Sequence, residues 1–137
     1  MAQISVGQSF ANYRILQSIG EGGMGEVYLA EDTTLSRKVA IKILHSGHSK
    51  TDDTSEKRFL NEAKLLASLN HPNIVSIYNI GVEAGLHYIV MEFVDGYTLS
   101  EAIKKQWLTT NDCVNIIIGI VEGLEEAHNN GILHRDI

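Results

Sequence analysis

Residues 20–30 read Gly20-Glu21-Gly22-Gly23-Met24-Gly25-Glu26-Val27-Tyr28-Leu29-Ala30, and the residues after the last glycine decide which fold can hold them. The first six residues fit G-x-G-x-x-G, a spacing in which missing Cβ atoms let backbone N–H groups approach phosphate oxygens closely. The same six also read as a plain glycine-rich hairpin turn. A dinucleotide-binding turn needs a helix to open at Gly25. Glu26 to Ala30 instead alternates and is rich in strand formers, so the turn joins strand to strand. A P-loop needs Lys and then Ser or Thr after the final glycine, where this chain has Glu26 and Val27.

Outward from the turn, Tyr13 to Ile19, Val27 to Ala30 and Val39 to Leu44 are short runs of β-branched and aromatic residues separated by polar or glycine-rich turns, the pattern of antiparallel strands. Asp53 with Glu56 resembles a helix-start capping pair, and Phe59, Ala63, Leu66 and Leu69 recur at helical spacing until Asn70-His71-Pro72 stops the run. Ile74 to Val82 and Leu86 to Val94 are two more strands, joined by a tight turn at Glu83-Ala84-Gly85. Beyond Asp95-Gly96 the pattern is helical, over Leu99 to Gln106 and from about Asn111 to Asn130, with Gly131 as the stop. The expected class is α+β. Residues 1–12 form a loose lead-in, residues 13–94 a five-stranded antiparallel sheet with one helix, and residues 95–137 a hinge followed by helices.

Alternation in Val39-Ala40-Ile41-Lys42-Ile43-Leu44 puts Val39, Ile41 and Ile43 on one face and Ala40, Lys42 and Leu44 on the other. A lysine there either snorkels from the sheet or offers its ammonium to the phosphates of a nucleotide held under the glycine turn. Glu62 falls inside the apolar stripe of its helix, between Leu66 and Leu69. A carboxylate aimed at a core calls for a cation, because an unpaired buried charge costs several kcal/mol. Lys42 is one candidate, and Arg58, one turn away on a solvated face, is the other. On the last helix, Cys113, Val114, Ile116, Ile117, Ile118, Ile120, Val121 and Leu124 cover a wide arc, so broad burial is expected. Cys113 itself reads as a small buried residue.

Composition sets the outer limits. The chain has 137 residues, 11 Lys+Arg and 17 Asp+Glu, for a net charge of −6. An acidic balance argues against a general binder of the nucleic-acid backbone, which requires a clustered basic surface, and leaves room for local basic patches. One cysteine supplies neither an internal disulfide nor a thiolate metal cage, and points to a reducing, cytoplasmic setting. The histidines show no metal-ligand spacing. The longest apolar run, Ile116 to Val121, is far too short for a membrane span.

Taken together, these residues resemble the protein kinase family. Gly20-x-Gly22-x-x-Gly25-x-Val27 resembles its glycine-rich loop, Val39-Ala40-Ile41-Lys42 its strand lysine, Glu62 the helix glutamate paired with that lysine, and His134-Arg135-Asp136 the start of its catalytic loop. His71-Pro72-Asn73-Ile74-Val75 is similar to the turn into the fourth strand, and Met91-Glu92-Phe93-Val94-Asp95-Gly96 to the gatekeeper and hinge. The wording of residues 20–28 is most similar to bacterial serine/threonine kinases of eukaryotic type.

The resemblance implies a kinase N-lobe and the first helices of an incomplete helical C-lobe, with ATP and a protein substrate as partners. Ile19 to Gly25 (Ile19, Gly20, Glu21, Gly22, Gly23, Met24 and Gly25) would cover the phosphates, and Lys42, positioned by Glu62, would hold them. Val27 and Ala40 would roof the adenine, the backbones of Glu92 and Val94 would meet its edge, and Met91 would close the back. Asp136 would be the base. The catalytic-loop asparagine and Asp-Phe-Gly aspartate, which hold Mg²⁺ in the family, lie beyond Ile137, so the resemblance implies Mg²⁺ chemistry without supplying its ligands here. The alternative is a non-catalytic kinase-like module that binds a nucleotide or a partner. The wide apolar arc of the last helix, short of its cover, implies self-association.

Overall fold

Alternating β-branched residues need a partner strand on each side, and the tight turns between the runs make those partners antiparallel neighbours. A computed structural model of the chain describes residues 4–22, 25–44, 64 and 67–133. Six strands form one sheet: β1 (Ser9–Phe10), β2 (Tyr13–Gly22), β3 (Gly25–Asp32), β4 (Arg37–Leu44), β5 (Ile77–Glu83) and β6 (Leu86–Glu92). Their order across the sheet is β1-β2-β3-β4-β6-β5, and every pairing is antiparallel. Two helices follow, α1 (Leu99–Lys104) and α2 (Thr110–Asn129).

The alternation expected of β4 is observed. Val39, Ile41 and Ile43 are buried in one cluster with Tyr28 and Ala30 from β3 and with Tyr88 and Val90 from β6. The sheet curls around this cluster. Tyr88 meets Phe10 and Tyr13 edge to face, with ring centroids 5.2 and 6.4 Å apart, although β3 and β4 lie between β2 and β6 in the sheet. Asn79 on β5 donates to the Tyr13 hydroxyl at 3.5 Å, closing the same curve.

Three expectations are corrected here. The lead-in is partly structured: Ser9 and Phe10 pair with Arg14 and Tyr13, so the sheet has six strands instead of five, and Phe10 is drawn in because its ring completes the aromatic cluster. The strand expected from Ile74 starts at Ile77, since Ile74 packs against a second cluster of Leu69, Ala127 and Ile132. On α2 only Gly123 and Ala127 are buried among the described residues. Val114, Ile117, Ile118, Ile120 and Val121 are exposed, as is Cys113. The described contacts of α2 run through the turn after Leu69, where Asn73 Nδ2 donates to Glu122 Oε2 at 3.2 Å; Cys113, in the first turn, lies well before that contact.

Both helices start on a full capping box. Thr98 and Thr109 each accept from the backbone N–H three residues on, and Glu101 and Asp112 return the bond to the cap N–H, satisfying donors that a helix start leaves open. No helix among the described residues is long and apolar enough to cross a membrane.

Candidate nucleotide site

In an antiparallel pair, residues directly opposite share a face. Gly20 stands opposite Val27, Val27 opposite Lys42, and Lys42 opposite Ile89. This row crosses four strands, beginning at the glycine turn and continuing through a half-buried Lys42. The next row on the same face runs Leu29, Ala40, Met91. Ala40 and Ile89 are buried yet do not belong to the core cluster on the opposite face.

The carboxylates of the turn lie on the other side. Glu21 stands opposite Glu26, and Glu26 alternates with Val27 to share the face of Tyr28. The Tyr28 hydroxyl donates to the Glu26 carboxylate. Burial first, and then the Glu26 contact, push the Tyr28 phenol up to about 12, so it remains a donor throughout the ordinary pH range. The Val27–Lys42 row and the Leu29–Ala40–Met91 row therefore carry one ammonium and no carboxylate.

Gly25 is fixed by packing. Its φ is +149°, and a Cβ there would sit 2.1 Å from the Ile43 carbonyl oxygen on β4, so the turn enters β3 alongside β4 only through a glycine. Gly20 has no such constraint, its imagined Cβ meeting Val27 Cβ at an ordinary 3.8 Å.

Of the residues expected at a site, Gly20, Val27, Ala40, Lys42 and Met91 are brought onto one face. Glu21 is not, and Ile19 falls in the register shift between Ser18 and Gly20, exposed. Glu92 ends β6 with its N–H donated to Ser76 O at 2.9 Å and its carboxylate accepting from Ser76 N–H at 3.3 Å. Val94, just beyond, is exposed. Gly23, Met24, Glu62 and Asp136 lie outside the described residues, and so does the expected pairing of Lys42 with Glu62. Leu29 and Ile89 are additions that sequence reasoning left out. Alternation within each strand hints at them, but only the register between strands sets them beside Ala40 and Lys42.

A curled antiparallel sheet with a glycine turn at its mouth, leading through residues 93–98 into helices, is the N-lobe and first C-lobe portion of the protein kinase fold. The chain belongs to the protein kinase family, whose protein kinase domain matches residues 13–137. It is 50% identical over 126 residues to the serine/threonine-protein kinase PrkC of Bacillus subtilis, covering 91% of this chain and 19% of that protein. It is 47% identical over 137 residues to the probable serine/threonine-protein kinase PknB of Lactococcus lactis, covering 98% of this chain and 22% of that protein. The crystal structure of the Mycobacterium tuberculosis PknI kinase domain superposes with a TM-score of 0.82 at 30% identity, covering 98% of this chain and 55% of that one. The chain thus spans about a fifth of the length of these curated relatives, and they are bacterial serine/threonine kinases, as the wording of residues 20–28 led us to expect.

Proposed function

We propose that the chain is the ATP-binding part of a serine/threonine protein kinase, dividing at Asp95-Gly96 into a sheet lobe and the start of a helical lobe. One observation carries this reading: Gly20, Val27 and Lys42 stand in a single cross-strand row, while the carboxylates of Glu21 and Glu26 occupy the opposite face. A triphosphate carries several negative charges. A face with an ammonium and accessible backbone suits it, and a face with two carboxylates does not.

On this reading Lys42 holds phosphate oxygens and Gly20 to Gly25 lies over them, with Glu62 as the partner that positions Lys42. Val27, Ala40 and Met91 bound the adenine, joined by Leu29 and Ile89. The Glu92 N–H is already committed to Ser76, so the Glu92 carbonyl and the Val94 backbone are the groups that meet the adenine edge. Asp136 orients the substrate hydroxyl and takes its proton. Family members use Mg²⁺ to neutralise the transferring phosphate; the residues assigned here supply phosphate and adenine contacts, not the metal's ligands. The single cysteine supports a cytoplasmic setting. The kinase names of the relatives support the enzyme reading over the non-catalytic module.

The test is a nucleotide titration with and without Mg²⁺, followed by a phosphate-transfer assay on a serine- or threonine-containing protein. Saturable ATP binding supports the assignment of the sheet face. Absence of binding in a folded chain overturns it, and binding without transfer assigns this chain the nucleotide step alone.

A further inference from the structure

Glu21 and Glu26 face each other directly across the glycine turn, an arrangement that pushes the two strands apart, since like charges opposite one another destabilise a pair. Beyond them, among the described residues, Gly22 stands opposite Gly25. Tyr28, two residues past Glu26 on the same face, is anchored in the core cluster and 5% exposed, and its hydroxyl donates to the Glu26 carboxylate. Val27 lies between Glu26 and Tyr28 in sequence and points to the opposite face, beside Lys42. A hydrogen bond from residue 28 to residue 26 therefore ties down the backbone on both sides of Val27.

We propose that Tyr28 is a positioning residue: its hydroxyl holds Glu26 against repulsion from Glu21 and thereby fixes Val27 over the nucleotide face. This inference rests on the nucleotide reading of that face for its consequence, but the clamp itself is a property of the free chain. Burial and the neighbouring carboxylates keep the phenol protonated, so the donor does not switch off in the neutral range. Because the clamp acts on the residue assigned to adenine, its loss weakens adenosine and ATP by the same factor, whereas a lesion confined to the phosphate contacts weakens ATP alone.

The experiment compares the chain with Tyr28→Phe and with Tyr28→Phe combined with Glu21→Gln. It measures dissociation constants for ATP and adenosine and the hydrogen-exchange rate of the Val27 amide without ligand. Tyr28→Phe is expected to weaken both ligands about three- to tenfold and to speed Val27 exchange. Adding Glu21→Gln, which removes the repulsion, is expected to restore both readouts most of the way. A pure packing role for Tyr28 is not rescued by neutralising Glu21, so failure of rescue overturns the proposal, as does unchanged exchange in Tyr28→Phe. Should neither ligand bind the unaltered chain, the nucleotide reading fails, while faster Val27 exchange reversed by Glu21→Gln still upholds the clamp. Glu26→Gln, which keeps an acceptor for the hydroxyl and removes the repulsion, is expected to behave like the unaltered chain and guards against a Tyr28 variant that folds poorly.

Discussion

Val27 and Lys42 stand directly opposite each other on β3 and β4, so an apolar side chain and an ammonium share one sheet face beside a glycine turn. Neither residue is explained by the core, which lies on the other face around Ile41 and Tyr28. The proposal of a nucleotide face, over a lysine that happens to lie in a strand, rests on that proximity.

Replacing that ammonium separates the two halves of the ligand. Lys42→Met keeps most of the apolar stem and removes a charge-assisted hydrogen bond worth about 1.5–3 kcal/mol. The expected result is ATP affinity lowered by about tenfold or more, with adenosine affinity and thermal stability unchanged. Equal loss for both ligands contradicts a phosphate role for Lys42.

Two glycines of one motif are expected to behave differently. Gly25→Ala meets the Ile43 carbonyl and an unfavourable φ, so it destabilises the folded chain by about 2 kcal/mol or more. Gly20→Ala has ordinary van der Waals room and changes stability by no more than about 0.5 kcal/mol, while weakening ATP if phosphate lies against that backbone. Chemical denaturation of the two variants reads the contrast directly, and equal stabilities contradict it.

Much of this was legible in the sequence. The hairpin reading of residues 20–30, the two faces of β4 and the turn at Ala84-Gly85 come from alternation and glycine alone, because a period of two is easily seen over eight residues. Ser9–Phe10 is too short to show any period, and its burial depends on Tyr13 and Tyr88, which reach it only once the sheet has curled. Ile74 looks like strand because an apolar residue carries no label for which cluster it will join. The face shared by Leu29, Ile89 and Lys42 depends on register, a relation between strands that no single segment encodes. The exposure of Cys113 and Ile117 contradicts the broad burial their helical wheel implies, since a wheel shows that a face is apolar but not what packs on it.

Acid is expected to loosen the helix starts. Hydrogen bonds from the Thr98 backbone and hydroxyl hold the Glu101 carboxyl below its usual range, and those from the Thr109 hydroxyl and backbone do the same for Asp112. A carboxyl lowered by folding favours the folded chain above its unfolded value and loses that contribution as pH falls through the lowered one. Helical signal should therefore hold above about pH 5 and begin to weaken below about pH 4. Carboxyl NMR titration checks the cause: Thr109→Ala should return Asp112 toward its ordinary range, and identical titration in both proteins contradicts the capping assignment.

The exposed face of α2 has a consequence in concentrated solution. Val114, Ile117, Ile118 and Val121 are at least half exposed, and burying each is worth about 1.5–3 kcal/mol. The 137-residue chain is expected to self-associate as concentration rises and to bind dyes that report apolar surface. Ile117→Glu and Val121→Glu should reduce both signals. A monomer at every concentration by light scattering, without dye binding, contradicts this.

Whether the Val27–Lys42 face receives the nucleotide is tested most directly by an amide chemical-shift titration with ATP. Saturable shifts are expected at Val27, Ala40, Lys42 and Met91, with smaller changes at Asp32 and Arg37 at the far end of the strands and none on α2. Shifts centred on α2, or no shifts at all in a folded chain, would contradict it.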